Sequence, residues 1–599
     1  MTNRTIFPVL LAVLSLRLAA QPALIPEAEA LQPPTASRLA AIHAAAQRDG
    51  WAPQVAMLRA AAVRAYAIEK LTAAEAWYHV YRWAALLGQT QAEFIPSWVQ
   101  AVNVAKVGYP GLVVPPVENG RTLARDLAPE LQAWVIGNAA FSEEFFSLLA
   151  PVDLVPETFK ILTALWRRDP AQFKTYANLA LAIAVVYDVP PPPAWPHAQV
   201  TAEALPRTLP EPGAAFAWWI RQEKIGRTYH KLSRLGADEL KFVVDAAAPF
   251  AELEWSQGAV NFPLNSLAGA YAKIRYRTDR VTGNQPVWPG ASYRLADILA
   301  TGGICADQAY FATQAGKARG VPTILIYGAG NDGRHAWFGF LDGEQRWQLD
   351  AGRHAEQRLV TGFARDPQTW REFSDHELKF LAERFHALPS FRQSRVHAVF
   401  AADFLAAGDA AAAAGAARKA VNFERRNQAG WEVLMAAATK QGRDAKTVEA
   451  LMREAALAFQ RYPDLEAAYA NRVSASLRAR GETSAADAEQ SRIALKNQGA
   501  RNDLAVQQAR DTVVRAWATQ PLPEQIRLYN HAVDTTGRGA GVTFFDQVVI
   551  PFAEHLLQLQ QTAEAVKAVE RAKRTLKVEP RSQLEQEIER LARAVKETK

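Results

Sequence analysis

Apolar residues recur every three or four positions through two long stretches of this chain, and this spacing limits what those stretches can fold into. Between about residues 35 and 190, segments such as SRLAAIHAAAQRDG and QVAMLRAAAVRAYAIEKL carry the pattern and end at glycine or a polar turn. Because such spacing places apolar side chains on one face of an α-helix, the stretch is predicted to be helical. Proline-rich segments at 189–196 and 205–213 interrupt it and predict a linker or an irregular edge.

A strand pattern is found between about residues 214 and 390. VPTILIY (321–327) is apolar and β-branched, and HAWFGF and RWQLD are separated by LDGEQ, whose Asp-Gly suits a hairpin turn. Before them, residues 306–319 have a helical pattern that Gly320 closes. The predicted order is therefore helix, strand, strand, strand.

From about residue 391 the helical pattern returns as paired segments with glycine at the turns, which resemble tetratricopeptide-type helical hairpins. The segment GRGAGVTFFDQVVIP (537–551) interrupts it. A chain of 599 residues is too long for one ordinary core. We predict a multidomain protein with a signal peptide (1–20), an α-helical N-terminal domain (21–213), an α+β core domain (214–390) and an α-helical, tetratricopeptide-like C-terminal domain (391–599).

The first twenty residues are typical of a secretory signal peptide. Arg4 supplies the positive charge, IFPVLLAVLSL a short apolar core, and Ala19 and Ala20 a small-residue cleavage site. We therefore expect an exported protein, periplasmic or secreted, with an uncleaved signal anchor as the alternative. We expect no membrane span after cleavage, since no other segment is long enough. The net charge of +7 is spread thinly and forms no dense basic run, which argues against a nucleic-acid partner.

Cys305 is the single cysteine of the chain. One cysteine cannot form an intramolecular disulfide, so the helical cores must supply the stability. A free thiol is also open to oxidation in an oxidising compartment, so its presence in an exported protein needs a reason. Cys305 follows Gly302 and Gly303 at the predicted start of a helix, where unpaired N–H groups favour a thiolate.

Two further residues complete a set that suits thiol acyl-transfer chemistry. His335 in HAW and Asp350 in QLD lie on successive predicted strands of one hairpin. His335 would take the thiol proton and later return it to the leaving amine, and Asp350 would hold the imidazole in the right tautomer. The backbone N–H of Cys305 would help to bind the developing oxyanion. The alternative for a lone cysteine is a small buried hydrophobic residue.

The segments GGICADQA, HAW and WQLD, in this order, resemble the transglutaminase-like core of the papain-like thiol enzymes. The resemblance covers about residues 262–355. It implies that Cys305 is the nucleophile, His335 the general base and Asp350 the orienting acid. Members of the family commonly complete the oxyanion hole with another side chain, and the oxyanion or supporting candidates here are Gln285, Trp288, Gln308 and Trp337.

No cofactor and no metal are predicted. Gly328–Gly333 spells GxGxxG after a strand, but a dinucleotide site needs such a loop to open a helix. Here the loop leads into the strand pattern HAWFGF, so we interpret it as a flexible loop beside His335. The pair His376-Glu377 lacks the second histidine of a zinc motif, because Phe380 stands in that place.

Together these observations predict an exported thiol enzyme of the transglutaminase-like class. Its expected substrate is a protein or peptide, with the cell envelope as a candidate source, and the reaction would pass through a thioester. Hydrolysis is favoured over transfer to an amine, since water is the default acceptor unless a site excludes it. The alternative is a non-catalytic helical-repeat scaffold that binds a partner and carries an inactive core. The oligomeric state stays open.

Overall fold

The computed structural model describes residues 25–105, 112–353, 360–497, 499, 501–576 and 578–597. The predicted signal peptide (1–20) lies outside these residues. The described chain is mostly helical, with a five-stranded antiparallel sheet in its middle. This confirms the coarse part of the predicted fold, helical regions on both sides of a small α+β region. Within the described ranges, no helix combines the length and apolar character needed to cross a bilayer.

The N-terminal region is helical, as its apolar spacing predicts. Its described helices are α1 (Glu27–Ala30), α2 (Ala36–Asp49), α3 (Val55–Ala67), α4 (Leu71–Gly88), α5 (Gln91–Ala105), α6 (Pro129–Gly137), α7 (Ala139–Leu148), α8 (Val155–Arg168), α9 (Pro170–Thr175) and α10 (Ala177–Tyr187).

The middle region contains the predicted order of helix, strand, strand, strand, in which the helix is the last of its helices and begins at Cys305. Seven helices come first: α11 (Pro212–Lys224), α12 (Ala237–Val244), α13 (Phe250–Ala259), α14 (Gly269–Ala272), α15 (Thr278–Thr282), α16 (Leu295–Thr301) and α17 (Cys305–Ala318). The strands are β1 (Thr323–Ala329), β2 (Arg334–Leu341), β3 (Trp347–Ala351), β4 (Phe363–Arg365) and β5 (Glu372–Ser374). They lie side by side in the order β3-β2-β1-β4-β5.

Helices also fill the C-terminal region. They are α18 (Asp375–Leu381), α19 (Pro389–Ala406), α20 (Ala410–Phe423), α21 (Gln428–Lys440), α22 (Ala445–Ala458), α23 (Pro463–Ala479), α24 (Thr483–Asn497), α25 (Asn502–Thr519), α26 (Leu522–Thr536), α27 (Gly541–Phe544), α28 (Ile550–Gln558), α29 (Thr562–Thr575) and α30 (Gln583–Glu597). The interruption predicted at 537–551 is real, because residues Phe545–Val549 form a π-helical turn between α27 and α28.

One hydrophobic core joins the N-terminal helices to the sheet. Trp77 of α4, Trp219 of α11 and Trp337 of β2 are fully buried in the same continuous cluster. The segment predicted as a linker between them is packed as well, since Trp195 and Leu205 are buried in that cluster. Proline therefore ends the helices here without separating two independent cores. The helices after residue 380 have clusters of their own.

Candidate active site

Cys305 is the first residue of α17, the position that the sequence predicts. The chain reaches it through two glycines that no larger residue could replace. At Gly302 the φ angle is +78°, and a Cβ atom would lie 2.5 Å from the carbonyl oxygen of Arg275. A Cβ atom on Gly303 would lie 2.4 Å from that of Asp307. The close approach of these backbones fixes where the thiol begins its helix.

Asp307 caps this helix and belongs to a buried polar network. One of its oxygens accepts hydrogen bonds from the backbone N–H of Ile304 (2.8 Å) and from the guanidinium of Arg280 (2.6 Å). The other accepts from the hydroxyl of Tyr293 (2.7 Å). Arg280 and Asp307 are both almost completely buried. Because the carboxylate has three donors, the start of α17 is held against two other segments of the core.

His197 extends the network into the proline-rich segment. The backbone N–H of Gln199 donates to its Nδ1 atom (3.2 Å), so the neutral ring carries its proton on Nε2 and donates to the Tyr293 hydroxyl oxygen (3.0 Å). Desolvation lowers the pKa of His197 to about 3, with Arg207 adding to the effect. The ring is therefore neutral over the physiological pH range and acts as a structural link to the cap of α17.

The electrostatics of Cys305 differ from the sequence-based expectation. Burial raises the pKa of its thiol, and the nearby carboxylate of Asp307 adds to the rise. Hydrogen bonds to the sulfur from the backbone N–H groups of Ala336 and Ala306 lower the pKa, but the rise caused by desolvation is larger. The helix N-terminus therefore does not produce a thiolate by itself, and the resting group is a neutral thiol.

His335 lies near the start of β2, beside the Ala336 N–H group that reaches the Cys305 sulfur. Its Nε2 atom is 2.8 Å from the carbonyl oxygen of Gly352. A carbonyl oxygen can only accept, so the proton of the neutral imidazole lies on Nε2 and the Nδ1 atom carries the lone pair. This is the tautomer that a general base needs when Nδ1 serves as the base.

Aromatic side chains hold the His335 ring in place. The Trp337 ring stacks on it at 5.8 Å between centroids, and the Trp337 indole N–H donates to the carbonyl of Leu349 (2.8 Å). On another side the Tyr271 ring stands edge-on to it at 6.3 Å between centroids, while the Tyr271 hydroxyl donates to the carbonyl of Ala336 (2.8 Å). Trp337, predicted as a supporting residue, thus touches the imidazole directly.

Asp350 does not make the contact that was predicted for it. Its side chain is 66% exposed, and its carboxylate accepts a hydrogen bond from Arg353 (2.6 Å). The cause is a bulge between β2 and β3: Phe338 pairs with Ala351 but Phe340 pairs with Gln348. The extra residue shifts the register, so that Asp350 faces solvent and the Gly352 carbonyl occupies the orienting position at His335.

The predicted oxyanion candidates have other partners. The indole N–H of Trp288 donates to the carbonyl of Ser292 (2.9 Å), and the side-chain amide of Gln308 donates to the carbonyl of Ile274 (2.8 Å). Both groups therefore stabilise loops around the site. Gln285 is exposed and lines the cleft described below, so among the three its side chain is the one open to a ligand.

Tyr276 is a site residue that the sequence reasoning missed. It forms an isolated bridge with Gly303 and lines the same cleft as Cys305; desolvation raises the pKa of Tyr276, and the nearby Cys305 adds to the rise. Its side chain is 44% exposed. Nothing in the local sequence marks this tyrosine, because an irregular segment and not a helix or strand carries it beside the thiol.

The thiol opens into a cleft of about 780 Å³ to which all three parts of the chain contribute. Cys305, Tyr276 and His335 line it near the start of α17, and Lys317 lines it about 18 Å further along that helix. The proline-rich segment contributes residues 194–199. The C-terminal helices contribute side chains that include Asn502, Asp546, Gln547, Gln583 and Gln586.

The structure therefore brings Cys305 and His335 to one cleft and orients the imidazole through a carbonyl in place of the predicted carboxylate. It adds Tyr276 and separates Trp288 and Gln308 from the reaction centre by their own hydrogen bonds. A scan of protein-family profiles and a search of curated proteins found no match to this chain.

Proposed function

We propose that this protein is an exported thiol enzyme with a transglutaminase-like core, which breaks peptide or amide bonds through a thioester intermediate. The observation that carries the proposal is that one thiol and one oriented imidazole line the same cleft. The Cys305 sulfur accepts a hydrogen bond from the N–H of Ala336, the residue after His335, and the Gly352 carbonyl fixes the His335 tautomer in which Nδ1 carries the lone pair that a base uses. Export is inferred from residues 1–20 alone.

The raised pKa of Cys305 determines the first step. A neutral thiol must lose its proton as it attacks, so Nδ1 of His335 takes that proton while the sulfur bonds to the substrate carbonyl carbon. The electron pair of the carbonyl double bond moves to the oxygen. The imidazolium that forms keeps its Nε2–H bond to the Gly352 carbonyl, which lies where the positive charge develops.

The oxyanion needs donors beside the sulfur. The backbone N–H of Cys305 lies at the start of α17, where it has no partner within the helix. The hydroxyl of Tyr276 is a second donor, since this side chain lines the cleft and lies close enough to Cys305 for the two groups to interact electrostatically. Gln285, the exposed candidate from the sequence, belongs to the next part of the same wall.

Collapse of the intermediate breaks the carbon–nitrogen bond. The imidazolium of His335 gives its proton to the departing nitrogen, and the acyl group stays on Cys305 as a thioester. Water then adds to the thioester carbon, with His335 as base, and releases a carboxylic acid and the thiol. An amine in place of water would give transfer through the same thioester.

We favour hydrolysis because water reaches the reaction centre. Cys305 itself is partly exposed, and the neighbouring Tyr276 is 44% exposed. Hydrolysis is the outcome when a site does not exclude water from an activated acyl group. The protein or peptide substrate would enter the cleft at its exposed residues near Cys305, which include Tyr276 and Gln285.

The second candidate is a binding protein that uses the same fold without catalysis. Two observations favour it: burial raises the pKa of Cys305, and the carboxylate of Asp350 pairs with Arg353. In that case the tetratricopeptide-like helices after residue 391 would bind the partner and the thiol would be inert. The two candidates differ in whether Cys305 accepts an acyl group.

Acyl transfer from p-nitrophenyl acetate tests the proposal. We expect one acetyl group per chain, located on Cys305 by mass spectrometry and absent in Cys305→Ala. The variant His335→Ala should slow the acylation by about 100-fold or more, because general-base assistance is lost. The control His531→Ala replaces an exposed histidine far along the chain and should leave the rate unchanged. Acetylation of Cys305 only after the protein is unfolded would support the binding protein.

A labelled primary amine separates hydrolysis from transfer. The protein with its free Cys305 thiol is incubated with a glutamine-containing protein and the amine, and both ammonia release and label incorporation are measured. Ammonia release without label supports hydrolysis. Label incorporation that Cys305→Ala abolishes would show that amine transfer is the reaction.

A further inference from the structure

The loop between β1 and β2, which carries the chain into His335, is held by the C-terminal helical region. The loop closes on itself through the N–H of Gly330 and the carbonyl of Gly333 (2.9 Å). Its remaining backbone groups find partners about 200 residues or more further along the chain. The N–H of Val542 donates to the carbonyl of Gly330 (3.1 Å), and the N–H of Leu584 donates to the carbonyl of Asp332 (3.1 Å).

The contact between the two segments is close enough to require a glycine. Gly541 has a φ angle of +42°, and a Cβ atom there would lie 2.3 Å from the Cα atom of Asn331. Gly541 belongs to the stretch 537–551, which the sequence marks as an interruption of the helical pattern. Its irregular backbone therefore serves to dock this region on the loop.

Arg334 is the side chain through which the C-terminal region holds β2. Its guanidinium makes two hydrogen bonds to each of two carboxylates, to Asp546 at 2.7 and 2.9 Å and to Glu587 at 2.7 and 2.9 Å. The backbone N–H of Arg334 donates to the side chain of Gln583 (2.9 Å). Each carboxylate is held by one guanidinium nitrogen, Glu587 by Nη1 and Asp546 by Nη2, and these charge-assisted hydrogen bonds hold the guanidinium between the two.

Arg334 is the residue before His335, and successive side chains of a strand point to opposite faces. The Arg334 guanidinium contacts Asp546 and Glu587 of the C-terminal region, the His335 imidazole contacts the Gly352 carbonyl, and both residues line the cleft. A strand backbone cannot move at one residue without moving the next. The position of Arg334 thus controls the position of the imidazole relative to the Cys305 sulfur.

We infer that the C-terminal helical region is part of the catalytic unit, because Asp546, Glu587 and Gln583 hold Arg334 and thereby position His335. Arg334 is a positioning residue and takes no part in the chemistry itself. The effect on catalysis rests on the proposed function, whereas the contacts of Arg334 do not. The region after residue 500 thus contributes both a wall of the cleft and the support for the base.

The test compares Arg334→Gln with a matched control in the full-length protein. Arg346→Gln also removes an arginine that pairs with two carboxylates, Asp342 and Glu344, but at the far end of β2. We expect Arg334→Gln to lower the rate of acylation by p-nitrophenyl acetate about tenfold and to change its pH profile, since small displacements of a base are costly. Arg346→Gln should change neither, and Arg334→Lys should restore part of the rate.

Hydrogen–deuterium exchange supplies a readout that does not depend on catalysis. The peptide 328–340 should exchange faster in Arg334→Gln than in the wild type, and also in the milder variant Gln583→Ala. It should be unchanged in Arg346→Gln. Faster exchange with a normal acylation rate would overturn the positioning role. Unchanged exchange together with an unchanged rate would overturn the whole inference.

The two proposals fail in different ways. If His335→Ala acylates as fast as the wild type, the proposed function fails whatever Arg334→Gln does. If His335→Ala is acylated slowly, but Arg334→Gln is acylated as fast as the wild type and with the same pH profile, the proposed function is supported and the positioning role of Arg334 is wrong.

Discussion

The Nε2 atom of His335 lies 2.8 Å from the carbonyl oxygen of Gly352, and this pair takes the place of the imidazole–carboxylate contact that the sequence suggests. A carbonyl fixes the tautomer and the ring orientation as a carboxylate does. It carries a dipole in place of a full charge, so it stabilises the imidazolium less. The orientation of the base therefore depends on backbone geometry at one glycine.

Gly352→Ala should disturb this orientation. The φ angle of Gly352 is +89°, and a Cβ atom there would lie 2.5 Å from the Tyr271 ring, so the backbone must move and take the carbonyl with it. We expect a loss of about 1–3 kcal/mol in the free energy of unfolding and at least a tenfold slower acylation of Cys305. Denaturant unfolding and p-nitrophenyl acetate kinetics measure the two effects. The control Gly343→Ala meets only Leu264 at 3.8 Å and should keep the wild-type rate.

Asp350→Asn should have little effect on the rate. Its carboxylate is exposed and pairs with the buried Arg353, which keeps a second carboxylate, Asp375 at 3.4 Å, so we expect the replacement to cost about 1 kcal/mol or less. An orienting aspartate in a catalytic triad costs about 10⁴-fold in kcat when it is changed to asparagine. We expect a change of less than about threefold in the acylation rate, in line with that small energy. A loss of several orders of magnitude would show that Asp350 turns toward His335 during the reaction.

The raised pKa of Cys305 predicts how stability changes with pH. The folded protein holds the thiol proton more tightly than the unfolded chain does, so this stabilisation is fully present below the ordinary thiol pKa of about 8.5 and is lost as the pH rises through the folded-state pKa. The free energy of unfolding of the wild type, relative to Cys305→Ser, should therefore fall above about pH 8.5. Denaturant unfolding of both proteins between pH 7 and 10 measures the difference. A relative stability that rises over this range would show a lowered thiol pKa.

Tyr276→Phe should slow acyl transfer if its hydroxyl binds the oxyanion. Loss of one oxyanion donor costs about 10²–10³-fold in kcat in a known hydrolase, and we expect at least a tenfold effect here with KM little changed. Tyr327→Phe is the matched control, because Tyr327 lines the same cleft but its hydroxyl donates to Glu372. Equal rates for both variants would remove Tyr276 from the mechanism.

Asp307→Asn should destabilise the fold more than it alters the chemistry. It leaves the buried guanidinium of Arg280 without its counter-charge, and breaking a buried pair in this way costs about 3–5 kcal/mol. Asp297→Asn, which breaks the exposed pair with Arg294, should cost about 0–1 kcal/mol. Thermal and denaturant unfolding compare the two. A similar small loss in both would mean that the network around the cap of α17 is not rigid.

Local spacing was sufficient to predict the helices, the β1–β2–β3 order and the place of Cys305 at a helix start. Each of these depends on residues close together in the chain: the three- and four-residue apolar period, the Asp-Gly turn, and glycines before a helix. The same information placed His335 on the second strand after the thiol-bearing helix. Local pattern thus identified the two groups on which the proposed chemistry depends.

The remaining features depend on contacts that a linear pattern does not encode. A one-residue bulge opposite Gly339 decides that Gly352, and not Asp350, meets the imidazole. Burial, not the helix dipole, decides the direction of the thiol pKa shift. The docking of Arg334 on Asp546 and Glu587 joins residues more than 200 positions apart. The sequence by itself singled out the residues of the proposed chemistry, and the tertiary structure decided their partners, because register, desolvation and long-range packing arise only when the chain is folded.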